Sequence, residues 1–137
     1  MNIIQLTDDE LDAKLKSLFS LHQGRQNAIE RWALVLKIFG EGSDIPRTDD
    51  NLHDRAVRAA VQRLRSHGMF ILDMNDGKGR FLAHSSKEYL DFRSSYLKPL
   101  RSRADVIRAM DKFAEQTWPN LLQPTLFDLD EFTRVLE

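Results

Sequence analysis

Leu52-His53-Asp54-Arg55-Ala56-Val57-Arg58-Ala59-Ala60-Val61-Gln62-Arg63-Leu64-Arg65-Ser66-His67-Gly68 is the stretch whose reading decides the fold. Val57, Ala60, Val61 and Leu64 recur at i, i+3, i+4 and i+7, which is one face of an α-helix. Arg55, Arg58, Gln62 and Arg65 lie on the other face. Gly68 is the expected C-terminal cap. Phe70-Ile71-Leu72 and Arg80-Phe81-Leu82-Ala83 then read as two short strands around a flexible, basic tip, Asn75-Asp76-Gly77-Lys78-Gly79.

Arg and Gln are the side chains that can place paired donors on base edges in a major groove. A helix bearing them outward and running into a hairpin is the arrangement with which a winged helix reads DNA. On that reading Arg58 and Gln62, one turn apart, are the candidates for base contacts. Arg55 and Arg65 share their face, and Lys78 and Arg80 are placed to meet phosphates. Charge distribution agrees with this. Residues 51–103 hold eleven Lys or Arg against five acids, a balance of +6, so the remainder carries −7 in a chain whose formal charge is −1. Basic residues gathered at one helix and hairpin are what a nucleic-acid face leaves in a sequence. The plainer reading is a solvated helix surface.

Working outward, Thr7-Asp8-Asp9-Glu10 is a capping box opening a first helix, with Leu11, Leu15, Leu18 and Phe19 as its buried stripe. Gln26-Asn27-Ala28 could supply a short strand against the hairpin. A second helix is expected from about Ile29 to Phe39, with Ile29, Trp32, Ala33, Leu36 and Phe39 inward and Gly40 as its stop. Residues 41–50 read as a loop, capped into the next helix by Asp50 or Asn51. A helix-turn-helix has only about three or four residues there. Ser85-Ser86-Lys87-Glu88 is a second capping box. The helix after it carries Tyr89, Phe92 and Tyr96 and is expected to end before Pro99. Another, from about Ser102 to Pro119, carries Val106, Met110 and Phe113. These two stripes are expected to pack against each other as core, giving a monomer, with a homodimer as the alternative.

The fold class expected is therefore mainly α with a small β-hairpin (α+β): a winged helix-turn-helix over residues 1–84, a helical extension of two helices packed on it over 85–119, and an acidic tail over 120–137. Helix, short strand, helix, helix, hairpin is the winged-helix order.

Enzyme chemistry finds no support. His22, His53, His67 and His84 have no ligand spacing, and cysteine is absent, so no metal site or disulfide is expected. Gly77-Lys78-Gly79 lies between strands and opens no helix, which excludes a phosphate loop. Asp8-Asp9 and Asp49-Asp50 stand where helix starts explain them. No catalytic residue, cofactor, membrane span or signal peptide is expected. The expected location is the cytoplasm of a bacterial host cell.

Gly24-Arg25-Gln26-Asn27-Ala28-Ile29, Asp54-Arg55…Val57-Arg58…Leu64-Arg65…Gly68, Gly79-Arg80-Phe81-Leu82-Ala83 and Glu88-Tyr89…Phe92 together resemble small winged-helix proteins of bacteriophages and prophages, over roughly residues 20–115. The resemblance implies double-stranded DNA as partner. Some such proteins end in Gln-x-x-Leu-Phe, and this chain has Gln123-Pro124-Thr125-Leu126-Phe127. That segment is similar to the consensus by which bacterial replication proteins dock on the DNA polymerase sliding clamp. It implies a clamp-binding role for Gln123, Leu126 and Phe127 and a part in DNA replication. A tail that folds back onto the core is the competing reading. The alternative functions are a winged-helix interaction module that captures a host factor without touching DNA, and a plain transcriptional regulator.

Overall fold

A computed structural model describes residues 5–121 and Arg134. The chain divides into two compact units, residues 1–92 and 93–137.

Helix α1 (Asp8–Phe19) starts at Thr7, whose Oγ1 accepts from the Glu10 amide at 3.2 Å and donates to the Glu10 carboxylate at 3.0 Å. Its Leu11, Leu15 and Phe19 are buried, with Leu18 at the margin. A single 3₁₀ turn (Arg25–Asn27) occupies the place where a strand is expected. Pairing with the hairpin survives as two isolated bridges, Ile29 antiparallel to Arg80 and Gln23 parallel to Leu82.

Helix α2 (Arg31–Phe39) begins two residues later than its periodicity suggests. Glu30 caps it, its carboxylate accepting from the amides of Trp32 and Ala33. Leu34, Val35, Ile38 and Phe39 are buried, Trp32 and Ala33 pack half-buried against the same core as expected, and Leu36 is exposed. The stripe is thus rotated from the expected one, because Ile29 is buried as an extended residue before the helix rather than in its first turn. Gly40 ends the helix.

Helix α3 (Leu52–Ser66) is capped by Asn51, whose side-chain oxygen accepts from the Asp54 amide at 2.9 Å. Val57, Ala60, Val61 and Leu64 close the core against α1 and α2. At its other end Gly68 adopts φ +92°, and Met69 N donates to Leu64 O across it, a left-handed cap suited to glycine. Strands β1 (Ile71–Asp73) and β2 (Arg80–Leu82) pair antiparallel, Ile71 with Leu82, Leu72 with Phe81 and Asp73 with Arg80.

The region after the hairpin differs from expectation. One helix, α4 (Ser86–Thr117), stands where two are expected, with Pro99 inside it. Proline removes one intrahelical bond, but Leu97, Lys98, Leu100 and Arg101 around it are all good helix formers. In the first unit Tyr89 packs edge-on against Phe70, ring centroids 5.4 Å apart. In the second unit Tyr96, Val106, Met110 and Phe113 are each more than half exposed rather than core. Among the described residues no helix is long and apolar enough to cross a membrane.

Gly79 fixes the approach of β2 to the chain before α2. It has φ +99°, and a Cβ there would lie 1.9 Å from the carbonyl oxygen of Ile29. Gly77 at the tip has φ +78° but open space around it. Gly79→Ala is therefore expected to cost about 2–3 kcal/mol and Gly77→Ala about 1 kcal/mol, read as midpoint shifts in urea unfolding.

Candidate nucleic-acid interface

Asp54 falls in helical phase with Val57, Val61 and Leu64, so α3 carries a carboxylate on its apolar stripe. The residue is completely buried. A buried carboxylate requires cationic partners and hydrogen bonds. Arg31 of α2 supplies both, Nε to Oδ1 at 2.9 Å and Nη2 to Oδ2 at 2.6 Å. Arg58, one turn along α3, adds Nε to Oδ2 at 3.0 Å. The loop before α3 closes the network: Arg31 Nη2 also reaches Asp49 Oδ1 at 2.8 Å, and Arg58 Nη2 donates to the Asp49 carbonyl at 2.8 Å.

Residues 41–50 reach this position because the loop has its own fastenings. Asn51 Nδ2 donates to the carbonyls of Ser43 and Pro46, Arg47 pairs with Asp44 at 2.8 Å, and Ser43 and Asp44 are buried. Phe39 stacks on His53 with centroids 4.3 Å apart.

Electrostatics follow from these contacts. Desolvation pushes Asp54 upward, but the Arg31 hydrogen bonds and the charges of Arg31, Arg58 and Arg80 outweigh it and hold the carboxyl below the usual aspartate range. Hydrogen bonds to Asp54 and then Asp49 raise Arg31 above the usual arginine range. Arg80 moves the other way: burial lowers it, and nearby Arg65 and Arg31 add to that against Asp73 and Asp54.

The residues singled out from the sequence fall into three groups. Arg55 and Gln62 are exposed on α3, and Lys78 is exposed at the hairpin tip. Arg58 and Arg65 are half-buried and engaged: Arg58 as above, Arg65 through Nε to the Ile71 carbonyl at 2.7 Å, its guanidinium 5.3 Å from the centroid of the Phe92 ring. Arg80 is half-buried at the base of the hairpin, its amide and carbonyl bonded to Ile29 at 2.9 and 2.8 Å. It does not share the tip with Lys78.

The tip is held on both sides. Asp73 Oδ1 accepts from the Asn75 amide and Asp76 Oδ1 from the Lys78 amide at 3.0 Å, while Arg25 pairs with Asp76 Oδ2 at 2.9 Å. The Lys78 amide and then Arg25 lower the Asp76 carboxyl. A concavity of about 650 Å³ beside it is lined by Arg25, Gln26, Ala28 and Lys78. Glu88 fastens the start of α4 by accepting from the amides of His84 at 2.7 Å and Arg25 at 2.8 Å. Burial opposes ionisation there, and those amides still hold Glu88 below its usual range. Arg31, Asp49, Asp54 and Arg25 are not among the DNA-contact candidates read from the sequence, where Asp49 is explained by a helix start and Arg25 and Asp54 enter only through the resemblance. Only Asp54 leaves a local signal, a charge on an apolar stripe. Gln123, Leu126 and Phe127 lie outside the described residues.

No protein-family model, curated protein or solved structure matches this chain.

Asp54→Asn keeps the shape and removes the charge that two arginines face. The expected loss is on the order of 3 kcal/mol at neutral pH, toward the low end for a broken buried pair because both arginines reach water. Because the folded protein holds the Asp54 carboxyl below its unfolded value, its contribution is complete at neutral pH. It fades as pH falls from the ordinary aspartate value of about 4 through the lowered one. Urea melts at stepped pH should show an acid-side loss in the wild type that is smaller in Asp54→Asn.

Proposed function

We propose that this chain is a DNA-binding protein of winged-helix type, resembling those of bacteriophages and prophages, and that it acts in DNA replication. The observation that carries the reading is α3. Its Arg55 and Gln62 stand exposed beside the held guanidinium of Arg58, and a hairpin with Lys78 at its tip follows directly. The element order and the excess of basic residues over 51–103 support the same reading. Arg55 and Lys78 make no side-chain hydrogen bond or ion pair among the described residues, so their charges are available to phosphates.

Titration of duplex DNA at stepped salt tests this. Affinity should fall steeply as salt rises, since phosphate contacts release counterions. Arg55→Ala/Lys78→Ala should weaken binding to all sequences about equally and flatten the salt slope by roughly one unit for each phosphate no longer met. A wild type that binds no duplex at low salt ends this reading. Both side chains are exposed and have no side-chain partner among the described residues, so unfolding is not expected to confuse the result.

The replication role rests on Gln123-Pro124-Thr125-Leu126-Phe127. In the proposed complex Gln123 bonds the rim of a sliding-clamp pocket while Leu126 and Phe127 fill its floor, contributing about 1.5–3 kcal/mol each before ordering costs. DNA contact by the folded part raises the local concentration of the tail near a loaded clamp. Full-length protein and a peptide of residues 120–132 should both bind a bacterial clamp, and Leu126→Ala/Phe127→Ala should abolish binding of each. Equal binding by the wild type and the control removes the replication role and leaves DNA binding standing.

A further inference from the structure

Most arginines of the first unit are consumed by the fold. Arg63 pairs with Asp12 at 2.8 Å, Arg47 with Asp44 and Arg25 with Asp76. Arg25 and Arg47 stay more than half exposed, but each is held by a single carboxylate; Arg58 differs because two separate groups hold it while its side chain still reaches water. Its Nε is fixed on Asp54, and one proton of Nη2 on the Asp49 carbonyl, yet the side chain is 42% exposed.

The anchors are themselves held by the fold. Asp54 is completely buried and bound on both oxygens by Arg31, and its amide is capped by Asn51. The Asp49 carbonyl belongs to a loop fastened at Ser43, Pro46 and Asp44. A guanidinium has five N–H donors in one plane. Two are spent, so three remain: both on Nη1 and one on Nη2. Those three form the kind of edge that meets the paired O6 and N7 acceptors of guanine. By contrast Arg55 has no such holder among the described residues and supplies charge without a fixed direction.

We infer that Asp54 and the Asp49 carbonyl are positioning groups that hold Arg58 as a directed donor edge for a guanine base, making Arg58 the residue that sets sequence preference. This rests on the DNA-binding reading and gives the loop 41–50 a part in it. Pre-organisation of this kind removes the ordering cost of a long side chain at the moment of contact.

The test is the ratio of affinities for a preferred duplex, selected by the wild type from a random library, and a scrambled duplex of the same length. Arg58→Lys keeps the charge and loses the fork. It should lower the ratio by about tenfold or more, because affinity for the preferred duplex falls further than affinity for the scrambled one. Asp54→Asn should lower the ratio similarly, and Asp54→Asn/Arg58→Lys should fall no further than Arg58→Lys alone. A purely structural role for Asp54 would change both affinities together. Relaxation of the arginine ¹⁵Nε in the unbound wild type makes the inference testable even if Asp54→Asn does not fold: Arg58 should be ordered and Arg55 mobile. Arg58 as mobile as Arg55, or a ratio unmoved by Arg58→Lys, overturns the inference while duplex binding stands. A wild type that binds DNA with no preference overturns it too, and one that binds no DNA overturns the parent reading with it.

Discussion

A carboxylate sealed inside a small protein dictates what surrounds it. Asp54 takes a place on the apolar stripe of α3, and at 0% exposure it has no water to solvate its charge. Arg31 must therefore come from α2 and Arg58 from the next turn of α3, and the loop between those helices supplies Asp49 for both. Three consecutive segments are thereby locked in one relative setting. An apolar residue at this position could contribute comparable stability, because the attraction of a buried ion pair is largely offset by desolvation. What apolar contact cannot supply is direction, since the hydrophobic effect follows area and not angle. The hydrogen bonds of a carboxylate fix the rotation of α3 against α2 and the path of the loop that joins them.

Local signals are legible in the sequence and distant ones are not. The Thr7 cap, the Asn51 cap, Gly68 and the hairpin over 70–83 each depend on residues within a few positions, and the structure has all of them. The stripe of α3 is legible for the same reason. Arg31 lies 23 residues from Asp54 and Asp49 lies 18 from Arg31, with no periodicity linking them. Asp54 is visible as a charge in phase with Val57, Val61 and Leu64, but capping near a helix start accounts for it too readily. Periodicity misplaces the face of α2 because Ile29 is apolar and buried without being helical. In α4 Pro99 taken alone argues for a break, whereas the residues on both sides favour helix.

Charge counting yields a sound total and an unsound distribution. The balance of +6 over residues 51–103 is a statement about the field around the molecule, and pairing inside the fold leaves that sum unchanged. It does not say which cations reach outward. Arg63 is spent on α1, Arg65 on the carbonyl of Ile71, and Arg80 is drawn into the base of the hairpin. Arg55, Gln62 and Lys78 remain exposed, with Arg58 between the two conditions. In the proposed interface these conditions have different consequences. Mobile cations add attraction to any phosphate chain, whereas a held one can discriminate between bases.

The length of the loop between α2 and α3 follows from this division. Three or four residues suffice to turn one helix onto the next. They would leave nothing to bring a carbonyl back over the first turns of α3. Residues 41–50, anchored through Ser43, Asp44 and Pro46, carry Asp49 back to where its side chain meets Arg31 and its carbonyl meets Arg58. The extra chain costs little in closure entropy, which grows only slowly with length. It adds a second anchor on a side chain that Asp54 alone would hold by a single bond. One hydrogen bond leaves a guanidinium free to swing about that contact. Two, from elements that are themselves fixed, define its plane.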